Sequence, residues 1–280
     1  MAFRFGQLTD THLYGPNVDD HLDQRAAWLK GVAREIAEHD VDFIVHTGDF
    51  STGGSGAERH RRFKAVCDEL SQELGLPFYY VRGNHDGSLA DDDYQAIYGD
   101  GAWCFQHQGW AFAGLDRYWR TYQHTPHYYD MHPEMIDRLT EMLAAVPTDV
   151  PLVLMLHENP VGVTRFHRGE VLLHRLRDHN LQLLLFGHVH SNYISEYGGV
   201  QYATVVGDGA PFDTSPLTYN VITCDDDGRA TCEFHPHTFG LGEPIEPEPL
   251  GDGPRVKLDV DWPHTRGPRG TREAAGKLPD

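Results

Sequence analysis

Five short clusters of oxygen and nitrogen donors punctuate the sequence: Asp10-Thr11-His12, Gly48-Asp49, Gly83-Asn84-His85-Asp86, His157, and Gly187-His188-Val189-His190. Carboxylate, amide oxygen and imidazole together, with no thiolate, suit manganese, iron, zinc or cobalt better than calcium or a structural zinc. Seven of these side chains, Asp10, His12, Asp49, Asn84, His157, His188 and His190, are too many for one catalytic metal. They fit two, provided one carboxylate bridges ions about 3.5 to 4 Å apart. Two divalent ions against two aspartates leave a cationic pocket, and an anionic phosphate ester is its natural guest. A lone Asp-x-His or Gly-Asp pair carries little weight, because such residues are common at strand ends; the ordered set of five is specific.

Each cluster ends an apolar run, at residues 3–9, 41–47, 77–82, 151–156 and 181–186, and a sixth run covers 110–115. Continuous apolar runs of this length predict strands buried on both faces. Between the first three lie two helical patterns, Leu22, Ala26, Leu29, Ala33, Ile36 and Phe63, Val66, Cys67, Leu70, Leu74, at spacings of three or four. Strand and helix in alternation imply parallel pairing through right-handed crossovers, with ligands bound in the crevice beyond the carboxyl ends of the strands. Glycine before Asp49, Asn84 and His188 permits a tight turn that aims the next side chain into that crevice. A third helix is predicted from Pro133, and after residue 190 short strands with hairpin signals take over. His46 and Thr47 lie inside the second strand and read as core packing.

Composition narrows the class. The net charge of −19 leaves no basic face for nucleic acid or anionic membrane. No apolar run reaches the roughly 20 residues that span a bilayer, and the first residues lack the pattern of a signal peptide, so a cytoplasmic location is expected. The 27 Asp against 15 Glu and 19 Arg against 4 Lys fit a salt-adapted host or a GC-rich genome with an acidic proteome. Four cysteines without CxxC spacing read as free thiols; short turns between residues 224 and 232 pair Cys232 with a neighbour of Cys224 rather than with Cys224 itself. Residues 1–242 read as one catalytic domain and the proline-rich residues 243–280 as a tail. Within the tail, Val256, Leu258, Val260 and Trp262 alternate with polar residues, as in an extended segment lying on the domain. Two further segments are noted. The glycine-rich residues 51–56 lack the ending of a P-loop and read as a loop beside Asp49. Residues 117–124 mix aromatics with cations, to stack a base and grip a second phosphate or merely to cover the core.

With DTH at 10–12, GD at 48–49, GNHD at 83–86, His157 and GHVH at 187–190, the chain resembles the calcineurin-like metallophosphoesterases, and among them most resembles class III cyclic-nucleotide phosphodiesterases. The resemblance implies an α/β fold, a four-layer αββα sandwich of two mixed β-sheets flanked by helices. It implies one metal on Asp10, His12, Asp49 and His190 and a second on Asp49, Asn84, His157 and His188, with Asp49 bridging. The cofactors are then two transition-metal ions (Mn, Fe or Zn), and the reaction is attack by a metal-bridging hydroxide on a phosphodiester. Phosphomonoesterase, protein phosphatase and a non-catalytic scaffold are the alternatives. His85 takes the place facing the phosphate, as an acid for the leaving group, with Asp86 as its orienting partner. The partner is a small phosphate ester, not nucleic acid or membrane, and a homodimer is left open. One departure is Glu158, where many relatives carry a second histidine.

Overall fold

The structure is a computed structural model describing residues 2–13, 22–51, 56–118, 131–161, 169–205, 218–237 and 257–258. Its first strand, β1 (Phe3–Leu8), is buried at every position but Arg4, as its apolar composition requires. Helix α1 (Leu22–Ala37) returns the chain to β2 (Ile44–His46), and α2 (Ala57–Leu74) returns it to β3 (Phe78–Tyr80). Where β1 meets α1, a Cβ on Gly6 would lie 2.4 Å from Ile36, so glycine lets helix and strand close together. The three strands are parallel, and Leu8, His46 and Tyr80 are in register. The clusters that follow therefore emerge at one edge. The sheet is completed far along the chain by the hairpin β10 (Thr218–Cys224) and β11 (Ala230–Pro236), giving the order β11-β10-β1-β2-β3.

The second sheet has the order β12-β8-β9-β7-β6-β5-β4. Its strands are β4 (Ala102–His107), β5 (Trp110–Leu115), β6 (Pro151–Met155), β7 (Asn180–Leu185), β8 (Tyr193–Tyr197), β9 (Val200–Thr204) and β12 (Lys257–Leu258). Three apolar layers define the architecture. Leu29, Ile36, Phe63 and Leu70 pack the helices against the first sheet. Phe5, Phe43, Phe112 and Leu183 fill the space between the sheets. Leu139, Leu143, Leu154 and Leu172 join the second sheet to α4 (Pro133–Leu143) and α5 (Gly169–Arg175). Helix, sheet, sheet, helix is the expected four-layer sandwich. A polar tie crosses the middle layer near the site: Gln7 Nε2 donates to Thr47 Oγ1 (3.2 Å) and to Phe186 O (3.0 Å), and Gln7 Oε1 accepts from Asn220 (3.2 Å). It links the strand ends of both sheets at full burial, where an unpaired amide would be costly.

Besides α5, two elements escaped the sequence reading. β4 pairs with β5 through the two-residue turn Gln108-Gly109, both at positive φ (44° and 83°). That geometry ordinarily draws Asn or Asp in the first position, so glutamine hid the hairpin. The second is α3 (Asp91–Tyr98), whose first turn carries Asp91, Asp92 and Asp93 at the positive end of the helix dipole. The cysteine expectation meets the observed register: Cys232 opposes Ile222, Cys224 opposes Ala230, and all four thiols are free. No helix among the described residues is long and apolar enough to cross a membrane. Residues 52–55 of the glycine-rich segment, 119–124 of the aromatic segment and the tail apart from β12 lie outside the described residues.

Candidate metal centre

Beyond the ends of β1 and β2 the two chain segments stay in step. Asp10 N–H donates to Gly48 O (2.9 Å), His12 N–H to Asp49 O (3.0 Å) and Leu13 N–H to Phe50 O (2.8 Å). Asp10, His12, Asp49, His188 and His190 all hold left-handed backbone, with φ of 49°, 42°, 57°, 71° and 48°. Such a conformation costs an ordinary residue about 1 to 3 kcal/mol and persists where the surroundings enforce it, chiefly at functional sites. Gly48 is left-handed too (φ 104°), but Gly83 and Gly187 are not. Their reason is space, which corrects the expectation that all three glycines serve the turn. A Cβ on Gly83 would lie 2.1 Å from Asp49 Oδ1, and one on Gly187 would lie 2.0 Å from Thr9 Oγ1 and 2.6 Å from Asp10 Oδ2. Gly187→Ala is therefore expected to displace Asp10 and weaken metal binding by at least about tenfold, the lower end for a disturbed ligand shell. Equilibrium dialysis against Mn²⁺ measures this, and unchanged affinity would refute the close-approach account.

The seven expected ligands come together in two neighbouring groups. Donor atoms of Asp10, His12 and His190 lie within 4.8 Å of one another, as do those of Asp49, His157 and His188. His190 Nε2 is 3.3 Å from Asp10 Oδ1. Asn84 Oδ1 belongs with the second group, 3.0 Å from His157 Nε2 and 2.8 Å from His188 Nδ1. One oxygen, Asp49 Oδ2, stands between the groups, 3.7 Å from His12 Nε2 and 3.3 Å from His157 Nε2. Ligand bonds of about 2.1 Å place neighbouring donors roughly 3.0 to 3.4 Å apart in octahedral or tetrahedral geometry. The 3.0 and 3.3 Å separations match that spacing, and the 2.8 and 3.7 Å ones stand just outside it, an arrangement that suits two ions with Asp49 shared. Thr47 O, an acceptor only, lies 2.7 Å from His157 Nδ1, which fixes the proton there and leaves Nε2 toward the site. His85 joins the site as well: its donor lies within 4.8 Å of those of His12 and Asp49, and its ring meets that of His12 edge-on at 4.7 Å.

Burial shapes the charges. The His12 imidazole is pushed down to about 4 by burial, against the charges of Asp49 and Asp10, so it is neutral and ready to bind metal. Burial also lowers His188, helped by the charge of His157. Burial raises Asp10, but the hydrogen bond from His190 and the charges of His157, His190 and His12 outweigh it and hold the carboxyl well below its usual range. For His157 burial works downward, yet the charge of Asp49, a hydrogen bond to it and the charge of Asp10 carry the imidazole up to about 10. In the metal-free protein His157 thus keeps a proton among the carboxylates. Raising the pH toward 10 removes this competitor, so affinity for Mn²⁺ is expected to rise through neutrality, about tenfold per unit while one proton is exchanged. Calorimetric titration in two buffers of different ionisation enthalpy should count about one proton released. No release and a flat affinity would contradict it.

Asp86 has a different place from the one expected. Its carboxylate accepts from the backbone N–H of Phe50 (3.1 Å), Ser51 (3.2 Å) and Gly83 (3.0 Å), so it staples the turn after β2 to the turn after β3 instead of orienting His85. His85 is held through its backbone N–H, which donates to Asp49 Oδ1 at 2.8 Å. Arg117 and Tyr118 are buried rather than turned toward a base: both bond to Glu158, the residue next to His157. The departure at Glu158 is thereby matched by a buried arginine. His46, read as packing, is buried but hydrogen-bonded at both ring nitrogens. A histidine inside an apolar strand was the available signal, as was Gln7 within an apolar run.

Comparison with known proteins supplies the family. The model of the calcineurin-like phosphoesterases matches residues 3–192. None of the curated proteins matches this sequence. Among solved structures, a dimetal phosphatase from Danio rerio is similar over 84% of this chain and 96% of that one, at 14% identity and a TM-score of 0.66. A purple acid phosphatase from yellow lupin (Lupinus luteus) seeds is similar at 14% identity and a TM-score of 0.58, over 86% of this chain and 52% of the longer lupin chain. GAP50, described as the anchor in the inner membrane complex of Plasmodium, matches over 87% of each chain at 16% identity and a TM-score of 0.57. At such identities the likeness speaks for the fold, and one fold serves both phosphatases and an anchor.

Proposed function

Because the chain belongs to the calcineurin-like phosphoesterase family, we propose that it is a two-metal phosphodiesterase for a small diester such as a 3',5'-cyclic nucleotide, held over the metals by His85. The observation that supports this reading most is the shared oxygen of Asp49 between two complete donor groups. A non-catalytic scaffold has no need of such a set. Two ions bound there supply Lewis-acid polarisation of the phosphoryl oxygens and a nucleophile drawn from water at neutral pH. Asp10 is aimed by Thr9 Oγ1 (2.7 Å) and His188 N–H (2.9 Å), and Asn84 is set between His157 and His188. The diester preference rests on charge. A phosphomonoester dianion calls for extra cations, whereas Arg117 is engaged by Glu158. The acidic surface repels polynucleotides, which favours a small substrate. A cytoplasmic site of action belongs to the same reading and is supported by the four free thiols.

The test is a panel of bis-aryl phosphate, aryl phosphate and cyclic nucleotides assayed with Mn²⁺ and after chelation. Diester and cyclic nucleotide should be hydrolysed in preference to the monoester, and only with metal. A preference for the aryl monoester would make the protein a phosphomonoesterase.

A further inference from the structure

The two turns that carry Asp10, His12 and Asp49 hold left-handed backbone at all three residues, so something must enforce them. One side chain touches both turns. The backbone N–H of Gly48, which can only donate, reaches His46 Nδ1 at 3.2 Å. Nδ1 is therefore the unprotonated nitrogen of the neutral ring, and the proton sits on Nε2. His46 Nε2 lies 3.0 Å from Thr11 Oγ1, so the ring donates and the hydroxyl accepts. That leaves the Thr11 hydroxyl proton to point at Phe50 O (3.4 Å). The result is a directed chain, Gly48 to His46 to Thr11 to Phe50, which starts and ends on the turn after β2 and passes through the middle residue of the turn after β1. The ring is held edge-on by Phe50 and Phe63, at centroid distances of 4.8 and 5.6 Å, and both His46 and Thr11 are fully buried.

We propose that His46 is a positioning residue of the metal centre, coupling the Asp10-His12 turn to the Gly48-Asp49 turn so that their donors stand at metal spacing. The inference rests on the two-metal reading above and concerns metal affinity rather than chemistry. The neutral ring does what no apolar residue of that strand could: it satisfies a donor on one turn and an acceptor on the other without adding charge beside Asp10 and Asp49.

The test is titration of Mn²⁺ into the metal-free full-length chain, with heat and metal content as readouts, for His46→Leu, Thr11→Val and Thr11→Ser. His46→Leu removes both links and should weaken Mn²⁺ binding about 10- to 100-fold, the range for residues that orient ligands. Thr11→Val deletes only the hydroxyl, with little change of shape, and should weaken binding in the same direction. Thr11→Ser restores the hydroxyl and should bind as the parent does, a rescue that mere packing of the threonine methyl would not give. Parental affinity in Thr11→Val, or a serine variant as weak as the valine one, overturns the proposal. A parent chain that binds fewer than two Mn²⁺ would instead overturn the two-metal reading, and the inference with it.

Discussion

Asp49→Asn is expected to abolish the metal pair and lower turnover by about 10³-fold or more, the order of several kcal/mol that metal-ion catalysis supplies. The reason lies in the two oxygens of this carboxylate. Oδ1 accepts the backbone N–H of His85 at 2.8 Å, and Oδ2 faces both His12 and His157. Asparagine can satisfy the first contact with its carbonyl oxygen, but its NH₂ then points at the place where the two donor groups meet. An N–H cannot bind a cation, and the lost negative charge adds to the repulsion between two ions. If the amide flips, the carbonyl faces the metals and the NH₂ opposes the His85 N–H, so either orientation fails at one end. Metal analysis should find two ions per parent chain and at most one in the variant. The metal-free variant should also release the His157 proton at lower pH, because Asp49 is the strongest of the groups holding it. A variant that retains two ions and activity within about tenfold of the parent would remove Asp49 from the bridge.

What the sequence disclosed follows from range. Donor clusters at the ends of apolar runs are local signals, and parallel pairing of β1, β2 and β3 follows from the helices between them, so five strand ends could be assembled without coordinates. Contacts between distant segments left no local trace. β10 joins β1 across more than 200 positions, with Gly6 opposite Val221, and Gln7 reaches Asn220 in the same way. Arg117 finds Glu158 across 41 positions, so the aromatic and basic segment read equally as a ligand grip or as cover for the core, and its first residues serve a buried ion pair. Asp86 was legible as part of the site but not in its task, because its partners are backbone amides, which every sequence offers everywhere. His46 shows the same limit: a polar residue in a strand signals a purpose, and only the fold shows which atoms it joins. The glycines were legible as special, yet whether φ or space required them depended on Asp49, Thr9 and Asp10 coming near.

His85→Ala is expected to cost about 10² to 10⁴ in hydrolysis of a cyclic nucleotide, the usual worth of a general acid, and much less on a bis-aryl ester. A ribose alkoxide is a poor leaving group and must receive a proton as the P–O bond breaks, whereas a nitrophenolate departs unaided. The geometry suits a donor poised over the metals. His85 is half-buried, its backbone is tied to Asp49 Oδ1, and its ring stands against His12 at 4.7 Å. The same closeness raises a rival role, since His85 also falls within donor distance of His12 and Asp49. The two roles separate by metal content. An acid can be removed with both ions retained, and the loss then tracks the leaving group. A ligand cannot: His85→Ala would bind Mn²⁺ more weakly, and activity on both esters would fall together and recover in excess metal. Equal losses on both esters with two ions in place would exclude proton donation and leave His85 as a group that only stabilises charge on the phosphoryl oxygens.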